Sequence, residues 1–195
     1  MKPHSGSGTR FFAAKQTKQT GNTEGKITDM WRNITELDKA YISGFLDGDG
    51  SIIVQIVKDD TRKYKFFIRV SIVFFQKSVH HWFMLWLKDV FSPYGYITKR
   101  PSGMSEFVIV AQTPVETILT ELSPYLKIKK PLCRLVLNII QDIKTVKSEA
   151  DFLKVCLKVD ETAKYTYSKS RKINSTYVRQ YLNLPVETFG ETPKD

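Results

Sequence analysis

Three things are scarce in this chain of 195 residues: acid at its start, cysteine throughout, and long apolar runs. No stretch of about 18 apolar residues exists, and even the run Val70 to Phe75 is broken by Ser71 and stopped by Gln76 and Lys77, which excludes a transmembrane helix. The two cysteines, Cys133 and Cys156, lie far apart with no CxxC pair and no accompanying His cluster, so a zinc site is excluded. Buried thiols in a reducing compartment are expected. Met1 to Lys26 lacks the apolar segment of a secretory signal. No acid precedes Glu24, and this first stretch is rich in Gly, Ser, Thr, Gln and Lys, with Phe11-Phe12 its one bulky apolar pair. Residues 1–33 therefore read as a disordered basic arm.

What is present is basic charge over a foldable body. The chain holds 30 Lys and Arg against 20 Asp and Glu, a formal charge of +10, and its 42% hydrophobic content suffices for a core. A surface rich in Lys and Arg points first to nucleic acid, because neutralising phosphates releases condensed counterions.

Order is expected from Thr35, which with Asp38 makes an N-terminal capping pattern for a helix carrying Glu36, Leu37, Ala40, Tyr41, Gly44 and Phe45. Ser51 to Lys58 alternates as a strand, and Asp59 to Arg62 makes a turn. Lys63 to Phe75 alternates again, with Phe66, Ile68, Val70, Ile72 and Phe74 on a core face and Lys65, Phe67, Arg69, Ser71 and Val73 on the other. Helical spacing over Val79 to Phe91 is closed by Pro93; strands at Tyr94 to Arg100 and Glu106 to Ala111 flank the turn Pro101-Ser102-Gly103. Helices follow at Pro114 to Leu122, Pro131 to Ile143 and Ala150 to Thr162. The order is αββαββα, an α+β fold over residues 34–163. Residues 164–195 read as a basic segment and tail interleaved with Tyr, Ser and Thr.

Ile42-Ser43-Gly44-Phe45-Leu46-Asp47-Gly48-Asp49-Gly50 concentrates the chemistry. Ala40, Gly44 and Gly48 form a stripe of small residues that suits either tight internal packing or close approach of a second copy of the helix. Asp47 and Asp49 fall at a helix C-terminus, where the macrodipole opposes them; either they are solvated or a cation such as Mg²⁺ sits there. An EF-hand fails, because Ile52 and Lys58 stand where Gly and Glu are required.

Ile42 to Gly50 resembles the signature of LAGLIDADG homing endonucleases, and the element order is similar to the single-motif, homodimeric branch. Gln76-Lys77 with Trp82-Phe83, Leu126 to Lys130, and Ser168-Lys169-Ser170-Arg171-Lys172 extend the likeness over roughly Leu37 to Leu182. The resemblance implies a site-specific, Mg²⁺-dependent or Mn²⁺-dependent DNA endonuclease acting on a long pseudo-palindromic target. By it, Asp49 and the Gly48 carbonyl are metal ligands, Gln76 positions the attacking water, Lys129 supplies charge near the scissile phosphate, and Asp47 is a structural helix-end acid. Ala40, Gly44 and Gly48 line the dimer interface. Double-stranded DNA lies along a curved four-stranded sheet, on Ile53, Gln55, Val57, Lys65, Phe67, Arg69, Val73, Thr98, Arg100, Glu106 and Val108. Lys169, Arg171 and Lys172 add DNA contacts. Arg69 and Arg100 suit guanine, Gln55 adenine, and the apolar members thymine methyls. The family places such proteins in a mobile intron of an organelle, a chloroplast rather than a mitochondrion. His80 departs from the basic residue usual there, and Ser43 from the usual Ala. The alternatives within this fold are an RNA-binding intron maturase and a non-catalytic DNA-binding regulator.

Overall fold

A computed structural model describes residues 34–166 and 171–185. The expected arm over residues 1–33, and Lys169, lie outside the described residues.

Helix α1 spans Glu36–Asp49 and opens with a reciprocal capping box between Thr35 and Asp38, which satisfies two orphan backbone donors. It leads without a loop into strand β1, Gly50–Lys58. A Cβ on Gly50 would stand 2.6 to 2.9 Å from atoms of Leu46, so the helix-to-strand junction admits glycine alone. Strand β2 is Phe66–Lys77, α2 is His81–Val90 after a short 3₁₀ turn, β3 is Tyr96–Lys99 and β4 is Met104–Val110. Helices α3 (Gln112–Leu122), α4 (Lys130–Thr145) and α5 (Glu149–Glu161) follow. A further helix, α6, covers Ser175–Tyr181 within the region expected to be a tail.

The antiparallel sheet has the order β1-β2-β4-β3. One face, carrying Ile52, Val54, Ile56, Phe66, Ile68, Val70, Ile72, Phe74, Phe107 and Ile109, is buried beneath the helices. Phe74, Phe91 and Phe107 stack with centroids 6.0 to 6.3 Å apart, an arrangement worth about 1 kcal/mol per pair beyond area burial. The opposite face carries the other parity: Ser51, Ile53, Gln55 and Val57 lie opposite Val73, Ser71, Arg69 and Phe67. This is the alternation expected of a half-open antiparallel sheet.

Helix α6 is fixed by tertiary contacts. Val178 is fully buried, Asn174 caps its N-terminus, and Tyr177 and Tyr181 pack edge-on against Phe66 at 6.2 and 5.1 Å.

Candidate active site and nucleic-acid interface

The two acids of the motif have separate environments. Asp47 is buried, and its carboxylate accepts the backbone N–H groups of Lys127, Ile128 and Lys129 at 2.7, 3.1 and 2.8 Å. Those groups lie at the start of α4, so the charge that is unfavourable at the end of α1 is favourable at the start of another helix. Lys129 completes the clasp by donating its Nζ to the Asp47 carbonyl oxygen at 2.5 Å. Burial lowers the Lys129 pKa from the ordinary lysine value, against the opposing influence of Asp47 and Asp49.

Asp49, two residues on, is exposed, and its carboxylate has no hydrogen-bond or ion-pair partner among the described residues. Gln76 lies at the same end of the sheet: Gly50 pairs with Phe74, so Gln76 extends two positions beyond the start of β1 and shares the helix-side parity of Phe74. Its Oε1 accepts the Lys77 N–H at 2.9 Å, which leaves the amide N–H groups available. Among the described residues, no cluster of three or more His, Cys, Asp or Glu side chains exists, so one chain offers a hard cation only Asp49 and nearby carbonyls.

The small-residue stripe of α1 is exposed, at Ala40, Gly44 and Gly48, and a Cβ built on either glycine meets nothing within 4 Å. Internal packing therefore does not require glycine there. Around the stripe are exposed large apolar side chains: Leu37 at 82%, Trp82 at 66% and Ile128 at 76% exposure, with Tyr41 edge-on to Phe83 at 5.9 Å. Ser43 turns the other way and donates to the carbonyl of Leu122, a hydroxyl contact that Ala at this position would lack.

On the open face of the sheet, Gln55, Arg69 and Arg100 are exposed, and Ile53, Val57, Phe67, Thr98, Glu106 and Val108 are half-buried. Lys65, expected on that face, is exposed but lies in the β1–β2 turn, where its ammonium donates to the Asp60 carbonyl at 3.0 Å. Arg69 donates to Gln55 at 2.5 Å and Arg100 to Glu106 at 2.7 Å. Two expected contacts are corrected. Val73 has the outward parity but is only 6% exposed, because it sits on a central strand between Ser51 and Val108. The Arg171 guanidinium is spent on the Val159 carbonyl and the Thr162 hydroxyl at 2.6 and 2.7 Å, closing the end of α5 rather than facing a ligand. Lys172 is exposed, and so is His80.

The site had a partner that sequence reading missed. Tyr181 donates to Asp60 at 3.3 Å and lies under the Lys58 ammonium at 4.4 Å, tying α6 to the β1–β2 turn. The signal was the pair Tyr177 and Tyr181 at helical spacing after the N-cap residue Asn174.

A family model described as LAGLIDADG endonuclease matches residues 42–137. The DNA endonuclease I-CreI of Chlamydomonas reinhardtii is 38% identical over 154 residues, covering 78% of this chain and 93% of the relative. DNA endonuclease I-CvuI of Chlorella vulgaris is 35% identical over 147 residues, covering 75% and 91%. A crystal structure of the homing endonuclease I-CvuI in complex with its target, in the presence of Ca, superposes with a TM-score of 0.70, covering 77% of this chain and 97% of that one. A second I-CvuI complex, with the I-CreI target in the presence of Mg and its DNA not cleaved, gives 0.71. With a buried structural acid, an exposed acid beside a lysine, and these similarities across most of its length, the chain belongs to the LAGLIDADG endonuclease family.

Proposed function

We propose that this protein is a homodimeric homing endonuclease that hydrolyses both strands of a long pseudo-palindromic DNA target with a divalent metal ion. The observation that carries the reading is the division of labour between Asp47 and Asp49: the first is consumed by three backbone N–H groups, and the second is exposed beside Lys129. A pure DNA binder has no physical need for a carboxylate at a helix C-terminus that faces phosphates.

The donor set fits a hard divalent cation when it is doubled. Asp49 and the Gly48 carbonyl supply too few oxygens alone, but two copies of α1 meeting at Ala40, Gly44 and Gly48 bring two such sets together with the DNA phosphates. When bound, Mg²⁺ or Mn²⁺ lowers the pKa of a water and offsets charge on the phosphate. The Gln76 amide orients the attacking water, and the Lys129 ammonium stabilises charge developing on the phosphate and leaving oxygen. The open sheet face follows the major groove, with Ile53, Gln55, Val57, Phe67, Arg69, Thr98, Arg100, Glu106 and Val108 toward the bases, Lys65 reaching the DNA from the adjoining β1–β2 turn and Lys172 toward the backbone. Both named relatives come from green algae. On that basis a chloroplast is the proposed compartment.

The test is Asp49→Asn, measured for binding and cleavage of a target selected from a randomised DNA pool with Mg²⁺. Affinity is expected to persist and cleavage to disappear. Undiminished cutting by the variant would overturn the assignment.

A further inference from the structure

Gln55 and Arg69 face one another as register partners across the β1–β2 ladder, both exposed on the open sheet face. Arg69 Nη2 donates to Gln55 Oε1 at 2.5 Å. A free glutamine reads adenine with both ends of its amide, accepting from N6 and donating to N7. Here the accepting end is turned toward Arg69. A guanidinium has five N–H groups and no acceptor, and with the Gln55 oxygen turned toward Arg69 it is the two amide N–H groups that are left to face a base, so the pair presents donors to the DNA. The rows on either side, Val57 opposite Phe67 and Ile53 opposite Ser71, carry no charge, which makes this pair an isolated polar unit within a mostly apolar strip.

We propose that Gln55 and Arg69 act as one donor-only reading unit, in which Gln55 orients Arg69 onto a guanine and directs its own N–H groups to an acceptor on the neighbouring base, guanine or thymine. This replaces the expectation that Gln55 reads adenine, and it rests on the DNA-endonuclease reading above. Guanine offers N7 and O6 in the major groove and thymine offers O4, whereas the adenine and cytosine amino groups would meet N–H against N–H.

The experiment is selection from a randomised DNA pool by the wild type, Arg69→Ala and Gln55→Ala, sequencing bound and cleaved molecules separately. The wild type is expected to enrich guanine at one position of each half-site, followed by guanine or thymine. Arg69→Ala removes the guanine contact and frees the Gln55 oxygen, so the guanine preference should be lost and the preference at the neighbouring position should turn from guanine or thymine toward adenine by about tenfold, as expected for one bidentate contact. Gln55→Ala should retain guanine more weakly and lose the neighbouring preference. Base preferences in Arg69→Ala identical to those of the wild type would overturn the inference, as would a wild-type selection without guanine in either pool. Loss of cleavage with preferences intact in the bound pool would instead strike the endonuclease reading alone, so the two failures are distinguishable.

Discussion

Asp47 and Lys129 hold each other at both ends: the Lys129 backbone N–H donates to the Asp47 carboxylate at 2.8 Å, and the Lys129 Nζ donates to the Asp47 carbonyl at 2.5 Å. The clasp joins the end of the motif helix to the start of α4 and keeps the lysine ammonium within electrostatic reach of the exposed Asp49. The proposed reading thus gives stability to Asp47 and chemistry to Asp49, two positions on.

Asp47→Ala leaves three backbone donors at the start of α4 without their charged acceptor. A loss of about 3 kcal/mol is expected, read as a lower urea midpoint, because hydrogen bonds to charged groups carry about 1.5 to 3 kcal/mol each and are not additive. Asp49→Asn, by contrast, should leave the midpoint within about 0.5 kcal/mol, as for other surface substitutions. Equal midpoints for the two variants would contradict the division.

Cys156 is fully buried on α5, and burial raises its thiol pKa from 9.0 to about 12. The unfolded chain releases this proton first, so the thiol's contribution to stability is complete below about pH 9 and is lost as the pH rises through about 12. Cys156→Ala removes the group, so the stability gap between wild type and variant should narrow over that window, measured by urea unfolding. Cys133 is also buried and its thiol is likewise raised, chiefly by desolvation, so neither cysteine should react with a thiol reagent until the chain unfolds. Fast labelling of the native protein would refute this.

The parts legible in the sequence were those set by local rules. The Thr35 and Asp38 capping box, the alternation of β1 and β2, and the turn at Gly103, whose φ is +79°, all appear where the residue pattern placed them. The start of β2 differs from the pattern: Lys63 and Lys65 alternate like strand residues but sit in the turn, where Lys65 has a φ of +59°. What could not be read depended on distant chain. The partners of Asp47 are 80 to 82 residues away, the burial of Val73 comes from its neighbours on both sides, and α6 is a seven-residue helix held by Val178 and two tyrosines. Short helices of this kind owe their stability to packing rather than propensity.

Tyr181 should control the order of the β1–β2 turn. Tyr181→Phe removes the hydroxyl, with its bond to Asp60 and its interaction with the Lys58 ammonium, and keeps the ring under Lys58 and against Phe66. Tyr181→Ala removes all of these. Amide exchange over residues 59–65 is expected to quicken about tenfold or more in the alanine variant and several-fold less in the phenylalanine variant, whose ring still anchors α6 to the turn. Unchanged exchange in Tyr181→Ala would show that the turn orders itself without α6.

Gly44 gives a test in which fold and assembly respond with opposite signs. A methyl group at this position meets nothing within 4 Å inside the chain, and Ala exceeds Gly in helix propensity by about 1 kcal/mol, so Gly44→Ala should stabilise an isolated protomer. If two copies of α1 pack along Ala40, Gly44 and Gly48, the same methyl group holds their backbones apart and weakens the dimer. The larger Gly44→Val should push assembly further in that direction. Sedimentation across a concentration series is expected to show the dimer dissociating at higher concentration in both variants, with helical circular dichroism retained and cleavage lost in step with the dimer. A variant that remains dimeric at the wild-type concentration would place the interface on another surface, with Leu37, Trp82 and Ile128 the next to be changed, since their exposed apolar area also remains to be covered.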